Sequence, residues 1–124
     1  MATAATLRTR VNEHTGDVIA FTTTSAGNAG GTTVVSTALQ DEDFGNDDEG
    51  FASFWLLLTS GSNSGDLRRV ARSSGYTAST GTLTVTRAFS AQIANSVTAE
   101  LHRYDPRIKD NAINQAVRHL YPLL

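Results

Sequence analysis

The stretch from Trp55 to Ser73 constrains the fold more than any other. Trp55–Ser60 is an apolar, β-favouring run, Gly61–Gly65 (GSNSG) is a loop of small residues, and Asp66–Ser73 leads back. Glycine supplies the positive φ that tight loops need, and Ser and Asn side chains can bond their own backbone, so this order of residues writes an antiparallel hairpin. Gly81–Val85 (GTLTV) follows as a further strand. The segment is made for pairing, since it holds no nucleophile–base pair and no phosphate cradle.

The same grammar recurs at Val18–Thr24, Thr32–Ser36, Thr82–Thr86 and Thr98–Arg103, each run bounded by Gly, Ser or Asn, which gives about six strands. Along Asp66–Ser73 the alternation of Leu67, Arg68, Arg69 and Val70 is imperfect and does not fix which face is buried. Ala4–His14 reads as a short helix, with Thr3 as N-cap, Leu7 and Val11 four apart, and Gly16 as its stop. The closing helix is the best signalled. Asp105 caps it, Pro106 takes the first position, and Ile108, Ala112, Ile113, Ala116, Val117 and Leu120 form one apolar stripe. Asp110 lies near the positive helix start, and Arg118 and His119 near the negative end. The expected architecture is α+β: a small antiparallel β-barrel or sandwich of about six strands with N-terminal and C-terminal helices. It forms one domain, 1–124, divided as helix 1–16, barrel 17–104 and helix 105–124, the last either a docked terminus or the start of a continuation.

Charge and composition exclude several roles. A hydrophobic share of 40% and a charged share of 18% suit an ordinary folded chain, and without Cys there is neither a disulfide nor a thiolate metal site. The N-terminus has no apolar signal core, and no run approaches the roughly 20 apolar residues of a membrane span. Net charge is −2, yet residues 1–50 hold eight acids and two Arg, while 51–124 hold four acids and eight bases. Surfaces of opposite sign would suit stacking of identical copies or docking between unlike neighbours.

Candidate sites are few. The acidic loop with Asp41, Glu42, Asp43, Asp47, Asp48 and Glu49 has oxygens enough for a hard cation but not EF-hand spacing, and a solvated turn suits it better. Gly61–Gly65 lacks the Lys of a P-loop and has Asn63 where an esterase would have Ser. His14, His102 and His119 lack ligand spacing and read as surface or terminal residues. Arg68, Arg69, Arg72 and Arg87 could line a basic strip; with an acidic pI of 5.8 and few aromatics nearby, a protein's carboxylates suit it better than nucleic acid. Trp55, beside Phe51 and Phe54, could stack on a sugar, although a lone Trp in an apolar strand is usually core. No competent catalytic set or cofactor site emerges, so an enzyme is not expected.

In their order, Leu58-Thr59-Ser60-Gly61, Gly65-Asp66, Arg69-Val70, Gly81–Val85, Arg87-Ala88-Phe89 and Glu100-Leu101 resemble structural proteins of tailed bacteriophage virions. So do Leu7–Val11, Ala20–Thr22, Asp105-Pro106 and Ile113–Ala116, so that the likeness spans most of the chain. Where such proteins often carry a Gly-Asp turn before the Glu-Leu strand, Ala94-Asn95-Ser96 stands here, with Asn95 as the residue suited to a left-handed turn. The resemblance implies a virion component without activity of its own. It would sit at the head–tail junction or in the tail, assembled in the host cytoplasm from copies of itself and neighbouring virion proteins. The expected interface is Ile108, Ile113, Val117, Leu120 and Tyr121 with Arg68 and Arg69. The alternative of another class is a carbohydrate-binding adhesin module of a tail fibre, with Trp55 and the loop tips meeting the glycan.

Overall fold

A computed structural model describes residues 6–8, 10 and 17–120. The chain is mostly antiparallel sheet with helix near both ends. Among the described residues there are seven strands: β1 (Ile19–Thr22), β2 (Thr33–Val35), β3 (Trp55–Leu58), β4 (Leu67–Arg69), β5 (Tyr76–Thr77), β6 (Thr82–Thr84) and β7 (Thr98–His102). Each of the six expected windows contains one strand. The seventh, β5, is only two residues long and lies in a Ser- and Gly-rich stretch that carries no strand signal.

The strands do not close into a continuous barrel. They form a four-stranded sheet in the order β1-β7-β3-β4 and a three-stranded sheet in the order β2-β6-β5. Single antiparallel bridges, Ser25 with Val35 and Val70 with Val85, join the two sheets. The barrel expectation is thus corrected to two sheets around one core. Strands of two to five residues are too short to carry a ladder around both corners.

The β3–β4 hairpin forms as expected, with Leu57 opposite Leu67 and Trp55 opposite Arg69. Inside its loop, Gly65 N–H donates to the Leu58 carbonyl at 2.7 Å with Gly65 at φ +92°. Asn63 is buried there and accepts from Ser90 Oγ at 2.7 Å. Gly81 is required for a second reason: a Cβ on it would lie 2.1 Å from the Ser36 carbonyl oxygen. At the Ala94-Asn95-Ser96 turn it is Ser96, not Asn95, that takes the left-handed conformation, at φ +60°.

Alternation along the strands sorts the two faces of the larger sheet. Phe21, Leu56, Leu58, Ala99 and Leu101 point inward and pack with Val34, Leu83, Val70, Phe89 and Ile93. Phe51 and Tyr76 extend this core at 4.8 Å between ring centroids, and the Tyr76 hydroxyl donates to the Gly45 carbonyl at 2.9 Å. The acidic loop is therefore tied to the body, not merely solvated. Asp48 accepts from Ala78 N–H and Glu49 from Ser74 N–H, while Asp41, Asp43 and Asp47 stay exposed.

Near the N-terminus, Thr6, Leu7, Arg8 and Arg10 are helical; the remainder of the expected 1–16 helix, with His14 and Gly16, lies outside the described residues. The C-terminal helix runs Pro106–Leu120. Asp105 caps it as expected, its carboxylate accepting from Arg107 N–H at 2.9 Å, with Pro106 first in the helix. Tyr121 falls outside the described residues, as do the side chains of His119 and Leu120.

Candidate functional site

The outer face of the four-stranded sheet carries the residues that the core leaves over. Register places Trp55 opposite His102 and Leu57 opposite Glu100, with Leu67 and Arg69 beside them on β4. Over this face lies the first part of the C-terminal helix, and it is held there by charge.

His102 is fully buried, which corrects the expectation of a surface histidine. Lys109 Nζ lies 2.9 Å from its Nδ1, and Glu100 Oε1 3.1 Å from its Nε2. An ammonium can only donate, so Nδ1 accepts and Nε2 carries the proton that it gives to Glu100. Lys109 also pairs with Asp17 at 2.7 Å, both side chains nearly buried. Burial pushes the Asp17 carboxyl up, but bonds from Lys109 and from the N–H groups of Arg103 and Tyr104 outweigh it and hold its pKa below the ordinary value. The Glu100 carboxyl is likewise lowered, first by the His102 bond, with burial opposing. Arg8 Nη1, donating to both carboxylate oxygens of Asp110 at 3.1 and 2.9 Å, ties the N-terminal helical residues to the same helix.

This anchor covers only the base of the helix. Pro106 is buried and Lys109, Asp110 and Ile113 half-buried, the row that helical spacing turns toward the sheet. From Asn111 to Arg118 every other side chain is exposed. Ile108 is 65% exposed and Val117 36%. Of the expected interface residues, then, Ile108 and Val117 are exposed, while Ile113 is half-buried. Beside the helix base an open cleft of about 470 Å³ is lined by Leu57, Leu67, Gly65, Pro106, Arg107 and the Arg8–Asp110 pair.

The two expected interface arginines part company. Arg68 turns inward: its guanidinium lies 4.9 Å from the Phe89 ring centre and donates to the carbonyls of Leu67 and Ala88. Arg69 is exposed and lies over Trp55 at 5.2 Å, with Arg107 over the same ring at 5.3 Å. Trp55 is thus not core but a half-buried platform on the outer face, already covered by two guanidiniums, so it offers a sugar little free ring. Around the corner Arg103 lies 5.5 Å from the Phe44 ring centre and 5.8 Å from that of Phe54. Sequence reasoning missed Arg103 as a site residue, although it closes the expected strand Thr98–Arg103.

Among the described residues no group of three or more His, Asp or Glu converges as a metal site, and no helix is long and apolar enough to cross a membrane. No protein-family model matches the chain, and comparisons with curated proteins and with solved structures likewise find no match.

Proposed function

We propose that the chain is a non-enzymatic structural component of a tailed-phage virion, at the head–tail junction or in the tail, and that it works as a homo-oligomer. The observation that carries the reading is the C-terminal helix. It is clamped at its base by nearly buried ions, yet Ile108 within that base and Val117 beyond it are exposed to water. A helix fixed at one end with apolar side chains left uncovered is suited to neighbouring subunits, because burying each such side chain is worth about 1.5–3 kcal/mol. The resemblance of the motif order to that of tailed-phage structural proteins suggests the setting.

Light scattering tests the assembly. The purified protein should show a multiple of the 13.2 kDa chain mass. Ile108→Asp with Val117→Asp should lower that mass while the strand signal in circular dichroism persists. A wild-type protein that remains at one-chain mass at high concentration refutes the reading. Immunogold labelling of purified particles, at the neck or along the tail, checks the setting.

A further inference from the structure

We propose that the arginine–aromatic end of the four-stranded sheet, built from Arg69, Trp55, Arg103 and Phe54, receives the acidic loop of a second copy of this chain. The proposal rests on the self-association reading and names a second surface through which it occurs.

Two sets of charges remain unused within one molecule. Arg69 and Arg103 are exposed, and among the described residues neither guanidinium pairs with a carboxylate. Each is instead held over aromatic rings, so part of its side-chain freedom is already lost before a partner arrives. Guanidinium groups placed this way suit planar, two-point recognition of carboxylates. On the loop, the side chains of Asp41, Glu42, Asp43 and Asp47 make no hydrogen bond or ion pair among the described residues, whereas Asp48, Glu49 and the Gly45 carbonyl pin the loop in place. Four unpaired carboxylates are thus presented on an ordered support.

The two sets are neighbours. Phe44 belongs to the acidic loop and yet sits against Phe54 and under Arg103. At that point acid and base stand side by side, with Arg103 over a ring of the acidic loop and Arg69 across Trp55 on the outer face. A patch of that kind is self-complementary under a two-fold axis, each loop meeting the other copy's arginines. Phe44, 43% exposed, and Tyr104, 66% exposed, give such a contact an aromatic centre, beside a depression of about 240 Å³ floored by Ile19, Phe54 and Leu101.

Charge exchange tests this in the full chain. Arg69→Glu with Arg103→Glu, and separately Asp41→Arg with Asp43→Arg, should each weaken the two-fold contact at least about tenfold, since close charge pairs across an interface couple by more than 1.4 kcal/mol. The contact is read most simply in the Ile108→Asp, Val117→Asp background, where a two-chain mass should remain and fall to one chain on either reversal. Mixing the two reversed proteins one to one should restore the two-chain species, and so should all four reversals in one chain. The restoration also shows that the variants fold; Arg69→Gln with Arg103→Gln gives a milder second reading. If reversal leaves the mass unchanged while the helix variant lowers it, assembly stands and this surface is wrong. A wild type at one-chain mass overturns both. If the wild type instead binds a short DNA duplex through these arginines and forms no two-chain species, the face serves nucleic acid and the proposal falls.

Discussion

The two faces of the four-stranded sheet are held by different physics. On β7 the inward residues are Ala99 and Leu101, packed in the hydrophobic core; the outward ones are Glu100 and His102, tied to a helix by Lys109, which also pairs with Asp17. The inner layer draws on contacts from both sheets, so losing one methyl group is felt throughout. The outer layer hangs on a few charged bonds at the base of one helix, so its loss can be local. A non-directional core fixes the body, while directional bonds fix the angle at which an appendage leaves it.

The comparison is broken most forcefully from inside. Leu101→Ala should cost about 2–5 kcal/mol, read as a fall in the denaturant midpoint of the whole domain. Next is Lys109→Ala. Removing one partner of a buried ion pair costs about 3–5 kcal/mol, more than one docked turn can hold, so the helix should release instead of the sheet unfolding. Amide exchange should then rise at residues 106–113 while the core strands keep their protection. If the strands lose protection equally, the two layers are one cooperative unit and the distinction fails.

Acid sharpens the same contrast at smaller cost. The Asp17 and Glu100 pKa values lie below their ordinary 3.8 and 4.5 when folded. The released or unfolded state therefore takes up protons first, so the contribution of these groups is whole above about pH 5 and is lost as pH falls through and below those values. Helix exchange should rise from pH 5 to pH 3 before the sheet melts; simultaneous loss would contradict the layered view. The smallest effect belongs to the loop beside the cleft. Gly65→Ala meets nothing within 4 Å but sits at φ +92°, so it should cost about 1 kcal/mol through backbone strain alone. Unchanged thermal stability would show that the loop relaxes freely.

Much of the body was legible in the sequence because hairpin loops and helix caps are local. Gly61–Gly65 between two runs, and Asp105-Pro106 before a stripe, state their geometry within a few residues. The outer layer was less legible. The parity of Ala99 and Leu101 puts Glu100 and His102 together on the opposite face, but nothing near them says that a helix covers that face. Burial of His102 depends on Lys109 and Asp17, seven and 85 residues away in the chain. Trp55 misled for the same reason: an apolar run does not state which of its alternate residues meets the core. The two-residue β5 and the corners where the sheets part depend on partners, not on propensity.

The place of β7 in the sheet order bears on how the chain is made. It lies between β1 and β3, yet it is the last strand to be synthesised. A nascent chain leaving the ribosome therefore holds β1 and the β3–β4 hairpin with facing edges open until residues 98–102 emerge. Vectorial growth cannot complete this sheet piecemeal; folding waits for the final strand and then closes over long sequence separations, a topology that slows the search. Until then the open edges of β1 and β3 are where a chaperone, or another nascent copy, would bind first.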